Sequence, residues 1–134
     1  MSEGRLLHIL KDNYLLFLIV LLGLGLRIYD LGGESIWFDE AMSIRATRLG
    51  FAEQIKWIIG QGKEANPPFY YMLLHLWIPV FGDSEFISRL PSALFGVLSI
   101  IFTYSIDRLL FGKRAGLFAA LIIAVSIFHI RYSQ

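Results

Sequence analysis

The residues able to do chemistry in this chain are few and clustered. Asp39 and Glu40 are adjacent carboxylates behind Trp37 and Phe38; the arginines Arg27, Arg45, Arg48 and Arg89 flank them, and His75 sits among leucines. A carboxylate can take a proton from a hydroxyl within hydrogen-bond reach. An arginine fork suits a phosphate. Neighbouring positions on a helix point about 100° apart, so Asp39 and Glu40 do not form an acid/base couple. Glu40 is expected instead to orient a neighbour or help hold a cation. On spacing alone the plainer reading of both acids is stronger: they favour a helix N-terminus. Arg27 and Arg89 fall at the ends of apolar blocks. A charge inside a span is a functional candidate, and snorkelling to the headgroups weighs equally against it. Arg45 and Arg48 read as solvated, His75 as a packed or interfacial histidine, and Tyr70, Tyr71, Trp37, Trp57 and Trp77 as belt aromatics.

These residues must be held by apolar elements. Of the 134 residues, 56% are hydrophobic and 17% charged, against about 25% charged in soluble domains. The apolar residues come in blocks, as bilayer spans require. The chain has no cysteine, which excludes disulfides and thiolate metal sites, and a net charge of +1, which argues against a nucleic-acid partner. The expected fold is all-α and integral to a membrane, with about three spans over 14–31, 86–110 and 115–131. The short link Gly112-Lys113-Arg114 makes the last two an antiparallel hairpin.

The apolar stretch Pro67 to Phe81 would make a helix about 22 Å long, short of a ~30 Å hydrocarbon core. Pro67 and Pro68 suit a first turn and Pro79 is expected to end it. It is read as lying on or dipping into the membrane surface. Arg108, Lys113 and Arg114 at the hairpin turn place that turn in the cytoplasm. The N-terminus is then cytoplasmic and 32–85 is an extracytoplasmic loop. That loop is acidic, with Arg45, Arg48, Lys56 and Lys63 against Glu34, Asp39, Glu40, Glu53, Glu64, Asp83 and Glu85. It reads as two or three juxtamembrane helices. Ser35 is expected to cap one beginning near Ile36 and ending at Gly50. A second runs over Ala52 to Ile59 and stops at Gly60-Gln61-Gly62, and the Pro67 helix is the third. Surface helices of this kind could close a pocket for a substrate with an apolar tail and a polar head.

Three stretches carry a resemblance in their order: Leu26 to Ser43 with WFDE, Asn66 to Phe95 with NPP and RLPSALFG, and Phe111 to Gln134 ending in YSQ. Together they resemble the N-terminal part of GT-C membrane glycosyltransferases, closest to the protein O-mannosyltransferase-like group that also includes aminoarabinose transferases. The resemblance implies transfer of a sugar from a polyprenyl-phosphate donor to an acceptor hydroxyl on the extracytoplasmic face. It implies a catalytic Asp at the start of the first outer loop, which maps to Asp39, with Glu40 beside it. The lipid-phosphate leaving group needs cations, for which Arg27 and Arg89 are the candidates. A divalent cation is left open as cofactor, and the metal ligands are unknown.

Two positions depart from the pattern. Asn66 stands where relatives often carry His or Lys, and Met42 where the aminoarabinose branch carries arginine, which argues against aminoarabinose as the sugar. Family members continue well past the position of Gln134. The expected partners are therefore the bilayer, the lipid-linked donor, and the remainder of the enzyme or a completing chain, with the segment inactive alone. The rival expectation is a small non-catalytic multi-pass membrane protein, an assembly subunit or transporter fragment.

Overall fold

The computed structural model describes residues 3–29, 31–33, 38–60 and 68–134, with the side chains of 3–12, 38, 39, 58, 59 and 68 outside that description. Every described element is a helix. They are α1 (Glu3–Ile28), α2 (Phe38–Thr47), α3 (Phe51–Gly60), α4 (Pro68–Phe81), α5 (Glu85–Phe111), α6 (Lys113–Val125) and α7 (Ile127–Arg131). They fall into two compact units, Met1–Leu31 with Leu90–Gln134, and Gly32–Arg89.

The first unit packs α1 and α6 side by side around Ile100 and Tyr104 of α5 and Ala120 and Ala124 of α6, with Leu16, Ile19 and Val20 of α1 against them. Glycines set the spacing. A Cβ on Gly116 would lie 2.8 Å from the Tyr104 carbonyl oxygen and 3.0 Å from the Arg108 nitrogen, so the backbones of α5 and α6 approach as only glycine permits. The one-residue link between them is Gly112, at φ +91°. The outward faces stay apolar, with Phe17, Leu18, Leu22, Phe102, Leu109 and Phe118 among the exposed residues. Of the described helices only α5 is long and apolar enough to cross a bilayer, and 33% of its most apolar window is buried. A soluble core helix would be mostly covered; α5 presents most of that surface outward.

Helix boundaries differ from expectation in four places. α1 begins at Glu3, well before the apolar block, and bends at Asn13 (φ −120°, ψ 18°). The Tyr104 hydroxyl donates to Asn13 Oδ1 at 3.3 Å. The helix expected over 115–131 is two, α6 and α7, separated by Ser126 in extended conformation (φ −63°, ψ 112°) whose Oγ accepts from the His129 N–H. Pro79 does not end α4, which runs on to Phe81; a proline this close to the C-terminus forfeits one hydrogen bond and leaves few turns beyond it to disrupt. Gly50 does not end α2, which stops at Thr47; its carbonyl accepts from the Gln54 N–H at 2.8 Å and so opens α3. The expected cap Ser35, Pro67 and the stop at Gln61-Gly62 lie outside the described residues.

In the second unit α2 and α3 each pack on α4. Ala46 and Tyr71 are buried with Trp57 against them, and the Trp57 and Tyr71 rings meet edge to face at 5.7 Å. Gln54, 1% exposed, donates to the Tyr71 carbonyl at 3.2 Å.

Candidate functional site

The two adjacent acids stand at the start of α2, with Asp39 second and Glu40 third in the helix. The Asp39 side chain lies outside the described residues. Glu40 is paired: Arg89 Nε donates to Oε1 at 2.9 Å and Arg89 Nη2 to Oε2 at 2.8 Å. This fork-on-fork geometry is the strongest form of the contact. The Arg89 side chain is 8% exposed and that of Glu40 31%, so the guanidinium is sheltered where snorkelling would have exposed it. Sequence spacing did not show this pairing, which joins residues 49 apart.

Arg89 is fifth in α5, and its elevation depends on how that helix starts. Ser84 Oγ accepts from the Ile87 N–H at 3.4 Å, and Ser88 Oγ donates to the Ser84 carbonyl at 3.0 Å. Pro91 lies inside α5 and has no N–H to offer the carbonyl four residues back, that of Ile87. Trp77 Nε1 donates to that carbonyl at 3.0 Å. Trp77, expected as a belt aromatic, thus satisfies the acceptor that proline leaves open and ties α4 to the first turn of α5.

Elsewhere in this unit Arg48 meets Asp83 at 3.2 Å with both side chains exposed, a pair worth about 0–1 kcal/mol. Arg45 is exposed, as expected, and with Met42, Leu49 and Trp57 lines a hollow of about 310 Å³. His75 is packed, its ring 5.8 Å from that of Phe51, with Nδ1 buried and unpartnered. Among the described residues no group of three or more His, Asp and Glu could hold a metal ion.

In the first unit Arg27 is fully buried. Its Nη1 donates to the carbonyls of Gly23 (2.9 Å) and Ala124 (3.3 Å), and its Nη2 to the Ile123 carbonyl (3.2 Å) and to His129 Nδ1 (2.8 Å). Four of its five N–H groups are therefore engaged within the unit, and Nε alone is without a partner. Ile123 and Ala124 are among the last carbonyls of α6, left open by the break at Ser126. The negative end of that helix lies against the guanidinium. On the other side the Gln134 amide donates to the carbonyls of Arg27 (3.1 Å) and Tyr29 (2.9 Å), at the end of α1. The YSQ stretch thereby gains a structural reading, since Ser133 Oγ also bonds the His129 and Ile130 carbonyls. His129 was passed over because it interrupts an otherwise apolar block; an ionisable residue in such a block was the signal available. His129 and Ser99 line a cavity of about 370 Å³, open on one side and walled by Phe95, Phe128 and Tyr132.

Among the described residues every element is a helix and one is long and apolar enough to cross a bilayer, a build that fits an all-α membrane protein. Residues 65–134 match the family model of the dolichyl-phosphate-mannose-protein mannosyltransferases, and the chain belongs to that family, of the GT-C type. The match takes in Arg89 and His129 and leaves Arg27, Asp39 and Glu40 outside it. Neither curated proteins nor solved structures give a match.

Proposed function

We propose that the chain forms the N-terminal part of a membrane glycosyltransferase that moves a sugar from a polyprenyl-phosphate donor to an acceptor hydroxyl on the extracytoplasmic face. Residues 14–31, 86–110 and 115–131 would span the bilayer, with the N-terminus cytoplasmic and 32–85 outside. Asp39 acts as the base that takes the acceptor proton, and Glu40 and Arg89 border the site where the lipid phosphate leaves.

The observation that supports this most is the Glu40–Arg89 fork. It engages one of the two adjacent carboxylates with a sheltered cation at the helix start that also carries Asp39. The family match to residues 65–134 supports the class of donor.

The test is consumption of polyprenyl-phosphate mannose, read as release of polyprenyl phosphate, in membranes that express this segment together with the remainder of the enzyme. Asp39→Asn should abolish release with the helical signal and expression retained. Full release by Asp39→Asn, or donor consumption equal to that of empty membranes for the unaltered protein, would remove the reading.

A further inference from the structure

Arg27 was a phosphate candidate by residue type and position, but its surroundings give it another task. Four of its N–H groups reach three carbonyls and one imidazole nitrogen at 2.8–3.3 Å. A phosphate could bind the guanidinium only by displacing them. The remaining Nε is buried behind Gly96, where an added Cβ would come within 2.7 Å of it. The charge has a counterpart without a carboxylate, because the open end of α6 supplies the carbonyls of Ile123 and Ala124.

The contact to His129 has a fixed direction. A guanidinium only donates, so His129 Nδ1 must be a bare acceptor and the ring proton must sit on Nε2. That nitrogen lies 3.1 Å from Ser99 Oγ. Ser99 Oγ itself donates to the Gly96 carbonyl at 2.7 Å, so its free role toward the imidazole is to accept. Every partner in the chain from Arg27 to His129 to Ser99 to Gly96 is therefore assigned one role, and the last two side chains stand on the wall of the cavity between α5 and α7.

We infer that Arg27 is a positioning residue acting through His129: it holds the imidazole as the neutral, Nε2-protonated form at the cavity wall, and does not itself bind phosphate. This goes beyond the transfer reading and is independent of it. A failure of donor consumption leaves the tautomer untouched, and a wrong tautomer leaves Asp39 untouched.

The experiment is a two-bond proton–nitrogen correlation spectrum of the full chain in lipid nanodiscs with nitrogen-labelled histidine and arginine side chains. There are three histidines, and the His129 signals are assigned by their loss in His129→Gln. The unaltered protein should show His129 as a single tautomer with Nδ1 unprotonated. Arg27→Lys, which cannot cover four acceptors at once, should lose that single form, giving mixed or protonated signals, while Ser99→Ala should retain it. Inorganic phosphate should not move the Arg27 side-chain nitrogen resonances. The inference is overturned if His129 in the unaltered protein carries its proton on Nδ1 or on both nitrogens. A helical Arg27→Lys that keeps the pure Nε2-protonated form overturns it too, as does a saturable phosphate shift at Arg27. Should Arg27→Lys lose its helical signal, the spectra of the unaltered protein and of Ser99→Ala decide the matter.

Discussion

Replacing Glu40 by glutamine would leave Arg89 charged, with its side chain 8% exposed and its fork facing a neutral amide that has one acceptor oxygen where the carboxylate has two. Breaking a fully buried pair from one side costs about 3–5 kcal/mol, and an exposed pair contributes about 0–1. With Glu40 roughly one-third open to solvent, the expected cost lies between, at about 2 kcal/mol. At about 1.4 kcal/mol per factor of ten, that is roughly 30-fold faster hydrogen exchange of the protected amides in α2, if these exchange through opening of the pair. The double variant Glu40→Gln/Arg89→Met removes the sheltered guanidinium as well and should recover more than half of the loss, as expected of coupled neighbours. The measurement is exchange mass spectrometry on the protein in nanodiscs, following peptides from α2 and the start of α5. An effect below threefold in Glu40→Gln, or a double variant worse than the single one, would refute the reasoning that Arg89 depends on Glu40 for its charge balance.

Trp77→Phe should cost about 1–2 kcal/mol by stranding the Ile87 carbonyl. The same change should cost less in a Pro91→Ala background, where the restored N–H takes that acceptor; thermal unfolding of the four proteins closes the cycle. Gly116→Ala should destabilise by about 1–3 kcal/mol, because the added methyl meets the backbone of α5, which cannot turn aside. Gly25→Ala has nothing within 4 Å of the new methyl and lies inside α1, so it should stabilise by about 0.5–1 kcal/mol; opposite shifts in melting temperature for the two glycines test both. Gln134→Ala should expose the end carbonyls of α1 and cost about 1 kcal/mol, seen as faster exchange at residues 26–31.

The helices were legible where local chemistry decides them. The apolar run over 86–110 became α5 (Glu85–Phe111), the face of Ile55, Ile58 and Ile59 became α3, and Gly112 formed the turn between α5 and α6. What escaped depends on partners distant in sequence. The break at Ser126 falls in a run with no proline or glycine to announce it, and it is held by a guanidinium almost a hundred positions earlier. Pro79 reads as a helix stop under local rules, and Pro91 falls within the expected span over 86–110. Both sit inside helices, and at Pro91 an indole from another helix supplies the missing donor. The candidate acids are visible by residue type, whereas the fork that engages Glu40 is a tertiary contact across 49 residues. Arg27 stands out in the sequence as a charge inside an apolar block, but residue type alone cannot say how many of its donors have partners within the fold.

The reciprocal stoppering of α1 and α6 bears on how the protein is made. Gln134, just past α7, closes the end of the first helix and Arg27 closes the end of the sixth, so the two segments plug one another across about a hundred residues. A ribosome that has released α1 toward the bilayer must synthesise about another hundred residues before the amide that seals it emerges. During that interval the tail of α1 has water, a headgroup or a chaperone as its only source of donors. The seal on the first helix therefore waits for residues made about a hundred positions later.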